Sequence, residues 1–342
     1  MNPKISVIIP CFNVEKHLKN IFEDLSMQTF TDAEFIFIND GGSETIDNIT
    51  ADFARMDSRV VSVRQRNEGV SSARNHGIEL AKGEWIVFVD PDDRLENYYL
   101  ESLILSVENT SINIGIGGFK QIFVRKGSMV DYTIKQHCGP MSLSEALAVA
   151  PPLQVPWNKI YRLSFLKDNH LVFPLGVTYL EDEHFNLRLY QKVNFVSVVP
   201  DCGYRYMMYD ENSALSKYHV NLKKNMYISM ELRNSLYKSF GLSEKEIHQM
   251  KVEKVTLNIY ILIINLFKIG SPLTFSEIIN YIRYEIFGDK TLMSLFNEHH
   301  WSGDKGLVKI CNVLVMSKSP LLISTVFKIM FFIKYYMRRI EK

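Results

Sequence analysis

Trp85-Ile86-Val87-Phe88-Val89-Asp90-Pro91-Asp92-Asp93 sets five consecutive apolar residues against three carboxylates within four positions. The apolar run has the length and the β-branched and aromatic content of a strand buried on both faces, and the proline and acids end it. The same grammar recurs upstream. Ile5-Ser6-Val7-Ile8-Ile9 ends in Pro10-Cys11-Phe12-Asn13, Glu34-Phe35-Ile36-Phe37-Ile38 ends in Asn39-Asp40-Gly41-Gly42-Ser43, and Val60-Val61-Ser62-Val63 forms a third run. Amphipathic stretches lie between them at Val14 to Gln28, Ser43 to Met56 and Val70 to Lys82. The order β-α-β-α-β-α-β predicts an α/β fold, Rossmann-like, with a mostly parallel sheet and helices on both faces. In such sheets ligands bind beyond the carboxyl ends of the strands, where the acidic and polar residues stand.

Beyond residue 100 the rhythm loosens. A strand is expected at Ile112 to Phe123, a helix capped by Ser142 with Glu145 three residues on, and an apolar segment near Val193 to Val199. From about residue 217 the chain reads as helix. Ser243 with Glu246 and Thr274 with Glu277 have the spacing of capping boxes, and Gly270 and Gly288 suit helix stops. The expected organisation is an α/β domain over 1–216, made of a 1–100 half and a 101–216 half, followed by a helical C-terminal extension over 217–342.

Composition narrows the classes. Over 342 residues, 46% hydrophobic and 23% charged side chains exclude disorder and fibrous repeats. Lys and Arg number 39 against 38 Asp and Glu, a net charge of +1, so nucleic acid is not an expected partner. Cys11, Cys138, Cys202 and Cys311 lie far apart without a CxxC pair, which indicates neither zinc nor a disulfide framework. The start, Met1-Asn2-Pro3-Lys4 before a short apolar run, lacks the layout of a secretion signal, and no stretch approaches a membrane span in uninterrupted apolar length. A cytoplasmic protein is expected.

Three features carry chemistry. Asp90, Asp92 and Asp93 repel one another unless a cation or hydrogen-bond donors compensate them, and hard carboxylate oxygens suit Mg²⁺ or Mn²⁺; an acidic turn opening a helix is the plainer alternative. Asp40 stands in a glycine-permitted turn, where its carboxylate can accept from a ring N–H or merely build the turn. Arg74, in Asn67-Glu68-Gly69-Val70-Ser71-Ser72-Ala73-Arg74-Asn75-His76-Gly77, can fork onto a base carbonyl or phosphate, or be a solvated helix charge.

In order and spacing, Pro10-Cys11-Phe12-Asn13, Asn39-Asp40-Gly41-Gly42-Ser43, the Asn67 to Gly77 segment and Phe88-Val89-Asp90-Pro91-Asp92-Asp93 resemble the motifs of glycosyltransferase family 2, the inverting GT-A-fold enzymes. The resemblance implies a UDP-sugar donor. It implies uracil contact by Asp40, nucleotide contact by Arg74, ribose contact by Asp90, and a diphosphate-bound Mn²⁺ or Mg²⁺ on the aspartates Asp90 and Asp92. Pro10, Phe12, Asn13, Glu15, Asn67 and Gly69 would complete the nucleotide-sugar site. Asn39 and Gly42 depart from the family's commoner Asp-Asp-Gly-Ser, while Asp40 keeps its place.

Two later segments extend the likeness to the family's bacterial polysaccharide enzymes. Pro156-Trp157-Asn158-Lys159-Ile160-Tyr161-Arg162 resembles their acceptor side, and Tyr179-Leu180-Glu181-Asp182-Glu183-His184 the segment holding the catalytic base. Asp182 is the expected base, with Glu181 orienting it or touching the acceptor. The bare alternative for this acidic run is a solvated helix start. Trp157 would stack on a sugar or belong to the core, with Asn158 and Lys159 beside it. Tyr204-Arg205-Tyr206 and Asn212-Ser213 resemble the segment closing over the donor phosphates, which gives Arg205 a phosphate contact. The implied reaction moves a hexose or N-acetylhexosamine to a hydroxyl of a glycan or lipid-linked oligosaccharide with inversion. A sugar nucleotidyltransferase would need a glycine-rich basic loop where Pro10 to Glu15 stands; a silent carbohydrate-binding protein would have no need of Asp182.

The last 30 residues hold six Lys or Arg and one acid, net +5, which leaves about −4 for the rest. At about 100° per residue, Leu322, Ile323, Val326, Ile329, Met330, Ile333, Met337 and Ile340 fall on one arc of a helix near 319–340. That arc suits a peripheral contact with a membrane interface, or packing on its own domain.

Overall fold

The computed structural model describes residues 2–134, 139–149, 154–209, 217–300 and 304–340, with side chains to 333. Two compact units divide the chain, Met1–Asp210 and Glu211–Lys342.

The first unit opens with the expected alternation: β1 (Ile5–Cys11), α1 (Glu15–Ser26), β2 (Ala33–Asp40), α2 (Glu44–Met56), β3 (Val60–Gln65), α3 (Val70–Leu80) and β4 (Trp85–Phe88). A two-residue β5 (Arg94–Leu95) and α4 (Tyr99–Val107) lead to β6 (Ile114–Phe123), β7 (Ser128–Tyr132), β8 (Gly139–Ser142) and α5 (Leu143–Val149). β9 (Lys159–Arg162), α6 (Leu163–Asp168), α7 (Glu181–Tyr190) and β10 (Phe195–Met208) complete it. The sheet runs β3-β2-β1-β4-β9-β6-β10-β5, with β7 paired to β6 and β8 to β10. The strands β3, β2, β1 and β4 are mutually parallel, whereas β9 lies antiparallel to both β4 and β6.

Every residue of β1, β2 and β4 is buried, because helices cover both faces. α3 sits hard on β1: a Cβ added at Gly77 would lie 2.3 Å from Ile8 Cγ2, so only glycine lets the helix approach. The Ser142–Glu145 capping pair forms as expected, Glu145 Oε2 accepting from the Ser142 amide at 3.0 Å. β10 runs nine residues past the apolar segment at Val193 to Val199, because its second half pairs with β6 after a register shift and alternates aromatic and polar residues.

The second unit is helical: α8 (Leu222–Ser239), α9 (Glu244–Leu266), α10 (Phe275–Tyr281) running into a π-helical turn at Ile282–Ile286, α11 (Lys290–Glu298), α12 (Gly306–Met316) and α13 (Pro320–Ile340). Both expected capping boxes are present, at Ser243 with Glu246 and Thr274 with Glu277. Among the described residues no helix is long and apolar enough to cross a membrane. The apolar arc expected on the last helix is divided. Ile323 is buried and Val326 and Met330 half-buried, while Leu322, Ile329 and Ile333 are exposed. The side chains of Met337 and Ile340 lie outside the described residues.

Candidate active site

β2 and β4 flank β1, so Asp40 and Asp90 stand at the same carboxyl edge of the sheet, two strands apart. Asp40 ends β2 and is buried. Its Oδ1 accepts from Gln65 Nε2 at 2.8 Å and the Glu68 amide at 3.0 Å, and its Oδ2 from the Gly69 amide at 2.9 Å. A carboxylate has about four lone-pair sites, so three bonds within the protein leave roughly one for a ligand. The sequence offers no sign of this, because the donors come from the end of β3 and the loop between it and α3. Gly69, at φ +90°, and Gly41, at φ +68° with its Cα against Asn67, make the loop's approach possible.

Asn39, the departure from the commoner motif, builds this corner. Its Oδ1 accepts from the Gly42 amide at 2.7 Å and its Nδ2 donates to Asp47 Oδ1 at 2.7 Å. Ser43 Oγ donates to Glu15 Oε1 at 2.5 Å, tying α1 to the same corner and holding the Glu15 carboxyl below its usual range. Pro10 is buried within β1, whereas Phe12, Asn13 and Asn67 are exposed, with Asn13 left-handed at φ 56°.

The acidic turn after β4 is not a uniform cluster. Asp93 points inward, where Oδ2 accepts from Tyr204 Oη at 2.5 Å and Oδ1 from the Met207 amide at 2.8 Å. Burial and the charges of Asp90 and Asp92 push its carboxyl well up. Asp92 keeps solvent access, yet the protein packed round it withdraws its carboxyl from bulk water, which with Asp90's charge pushes it up to about 6. Among the described residues no group of three or more His, Cys, Asp or Glu is placed to hold a metal ion. Asp90 and Asp92 offer a hard-oxygen pair, the number that Mg²⁺ commonly takes beside phosphate oxygens, and their mutual repulsion is what a cation would relieve.

Arg74 differs most from expectation. It is buried on α3, with Nη1 2.6 Å from Asp182 Oδ1, Nη2 3.0 Å from Asp90 Oδ1, and Nε without a partner. Its guanidinium also lies over the Phe173 ring at 5.2 Å. Its fork is taken by two carboxylates, so in this structure it joins the aspartates instead of standing open to a nucleotide. The neighbouring Asn75 holds Phe173's backbone at both ends, donating to its carbonyl at 2.9 Å and accepting from its amide at 2.8 Å, and so ties α3 to the chain ahead of α7.

Asp182 lies in the first turn of α7, which begins after Leu180 in a left-handed conformation at φ 73°. A bulky non-glycine residue rarely adopts that region, and the helix that starts after it carries Asp182 to Arg74. Burial pushes Asp182 up to about 7; Arg74 opposes the shift and Glu181 and Asp90 add to it. Burial also raises Glu181. Asn186 Nδ2 bonds the Asp182 carbonyl at 3.0 Å, and Tyr161 Oη donates to Asn186 Oδ1 at 3.0 Å.

Four expected residues face elsewhere. Trp157 is core, not an open sugar platform: it stacks on Tyr204 at 4.3 Å and Tyr206 at 5.3 Å and meets Phe119 edge-on at 4.6 Å. Asn158 is fully buried, bonding the Gly117 carbonyl at 2.8 Å. Arg205 lies on the other face of β10 from Tyr204 and Tyr206, because strand side chains alternate, and its guanidinium binds Glu96 and Asp201, each at 3.0 Å. It does not reach the acidic turn. Lys159 is also fully buried; its Nζ donates to Asn158 Oδ1 at 2.7 Å and to the Val155 carbonyl. Burial lowers it to about 7, against the opposing charge of Asp182 nearby. Asn212 and Ser213 lie outside the described residues.

The profile of glycosyl transferase family 2 matches residues 6–169, which span the carboxyl-edge corner, the acidic turn and Arg74. Residues 6–169 form a glycosyl transferase family 2 domain. It is 30% identical to EpsH of Bacillus subtilis (strain 168) over 225 residues, 64% of this chain and 65% of EpsH, just under two thirds of that relative's length. EpsJ of the same strain is 27% identical over 248 residues, 71% of this chain and 72% of EpsJ. The structure of Staphylococcus aureus TarS residues 1–349 in complex with UDP-GlcNAc superposes with a TM-score of 0.63 at 19% identity, covering 95% of this chain and 90% of that one. The likeness to TarS establishes the GT-A fold with its C-terminal helices.

Proposed function

We propose that this protein is an inverting glycosyltransferase that moves a hexose or N-acetylhexosamine from a UDP-sugar to a hydroxyl of a glycan or lipid-linked oligosaccharide, in bacterial surface-polymer synthesis. The observation that carries the reading is the Arg74 fork. It sets Asp182 beside Asp90, so a half-buried base stands next to the acidic strand tip where a diphosphate would be gripped. The UDP-GlcNAc bound to TarS supports a UDP-sugar donor.

Asp90 and Asp92 would hold Mn²⁺ or Mg²⁺, which when bound neutralises charge on a departing diphosphate. The corner of Asp40, Asn67 and Gly69 would bind the nucleotide, and the exposed Phe12 and Asn13 would border it. Asp182, raised to about 7, is basic enough to take the acceptor hydroxyl's proton near neutral pH. As that proton passes to Asp182, the acceptor oxygen bonds to C1 of the sugar. The bond from C1 to the phosphate oxygen breaks on the opposite face, and UDP leaves with its electron pair. One displacement inverts C1, so an α-linked donor gives a β-linked product. Arg74 holds Asp182 in place for this step, and the in-line geometry supplies much of the rate.

Two substitutions test the division of labour. Asp92→Ala is expected to lose Mn²⁺-dependent UDP binding in calorimetric titration. Asp182→Asn should bind UDP as the unaltered protein does, with turnover of the competent UDP-sugar lowered about a thousandfold. Equal loss of UDP binding in both would refute the assignment.

A further inference from the structure

α12 and α13 lie in contact and are joined through Ser317-Lys318-Ser319. Each buries one side within the helical unit: Cys311, Asn312 and Val315 on α12, and Ile323, Ser324 and Phe327 on α13. On a helix facing water the opposite side is polar. Here it is apolar. Ile310, Val313 and Met316 of α12 and Leu322, Ile329 and Phe332 of α13 are 45% to 65% exposed. At about 100° per residue they lie away from the buried side chains of their helices.

Charge identifies the occupant. From Lys305 to Ile340 the sequence has seven Lys or Arg and no Asp or Glu, in a chain whose total is +1. An apolar outer side with cations and no anion fits a surface that is apolar beneath and negatively charged at its rim, which describes an anionic lipid bilayer. A second copy of this chain would set the same cation-rich, acid-free segment against itself, and like charges repel. Neither helix is long and apolar enough to cross a bilayer.

We infer that α12 and α13 together form the face by which this protein lies on an anionic membrane, in the plane of the interface. The inference rests on reading the 319–340 helix as interfacial and enlarges it to two helices; it is independent of the chemistry at the acidic site.

The test is flotation of the full chain with phosphatidylglycerol or phosphatidylcholine vesicles, at low and high salt. The unaltered protein should float with phosphatidylglycerol, weakly with phosphatidylcholine, and less at high salt. The double substitution Ile310→Glu/Val313→Glu, on exposed positions of α12, should cut the floated fraction at least about tenfold. Its thermal midpoint and UDP binding should remain those of the unaltered protein. Leu322→Glu/Ile329→Glu should do the same through α13. If the α12 variant floats as the unaltered protein does while the α13 variant fails, α13 acts alone and the two-helix face is wrong. Failure of the unaltered protein to float removes the membrane from the account. A dimer in solution that the α12 variant turns into monomer means that a second copy covers the face, which also overturns the inference.

Discussion

With Asp90 Oδ1 at 3.0 Å and Asp182 Oδ1 at 2.6 Å, Arg74's guanidinium spans the gap between the turn after β4 and the first turn of α7. A buried cation between two carboxylates fixes their separation, and removing it leaves two anions facing each other in a crowded site. Arg74→Gln is therefore expected to lower kcat about a hundredfold through a misplaced Asp182, while UDP affinity changes little. Steady-state kinetics with UDP titration separates the two. A large loss of UDP affinity with kcat preserved would return Arg74 to the nucleotide contact that the family resemblance implies. Asp93 makes a parallel point: three neighbouring acids read alike in sequence, yet Tyr204 and the Met207 amide draw one of them inside.

Among the elements, α3 has the most exacting placement. It must lie close enough to β1 for Arg74 to reach both aspartates, and Gly77 provides the approach. In Gly77→Ala the new methyl would meet Ile8 Cγ2 and Cγ1 at 2.3 and 3.0 Å, side-chain atoms wedged into the fully buried β1. Overpacking of this kind costs about 1–3 kcal/mol. Urea denaturation should show a midpoint lowered accordingly, with turnover falling as α3 rides outward; an unchanged midpoint would mean that the helix has slack here. β10 shows the complementary lesson, since its alternation sends Tyr204 and Tyr206 to the acidic turn and Arg205 to Glu96 and Asp201.

For the molecule as a whole, the site is a store of titratable groups whose shifts set a pH dependence. Asp182 is raised to about 7 and Asp92 to about 6, so between the ordinary carboxylate range and those values the native state holds protons that the unfolded chain has released. Stability falls with rising pH wherever the native state binds more protons. For Asp182 the slope is on the order of 1 kcal/mol per pH unit over that window. Lys159, lowered to about 7, acts oppositely at higher pH: there the unfolded chain holds the extra proton, and stability rises through that range. Thermal melts should accordingly show a midpoint that declines from about pH 5 to pH 7, and Asp182→Asn should flatten the decline. A midpoint rising across that window would contradict these shifts.

The sequence by itself determined what local pattern can carry: the parallel β-α alternation of the first hundred residues, the carboxyl-edge address of Asp40, Asp90 and Asp92, the capping boxes, and the helical second unit. Periodicity and turn chemistry are properties of neighbours in the chain, so they are legible there. Only the tertiary structure decided which partners distant residues find. Arg74 meets a carboxylate 108 positions away, Asp40 accepts three bonds from β3 and the loop after it, Trp157 enters an aromatic stack, and the last helix buries Ile323 while leaving Leu322 and Ile329 exposed. Each depends on which surfaces the packed sheet and helices bring within a few ångströms, and that distance is not written in the spacing of residues along the chain.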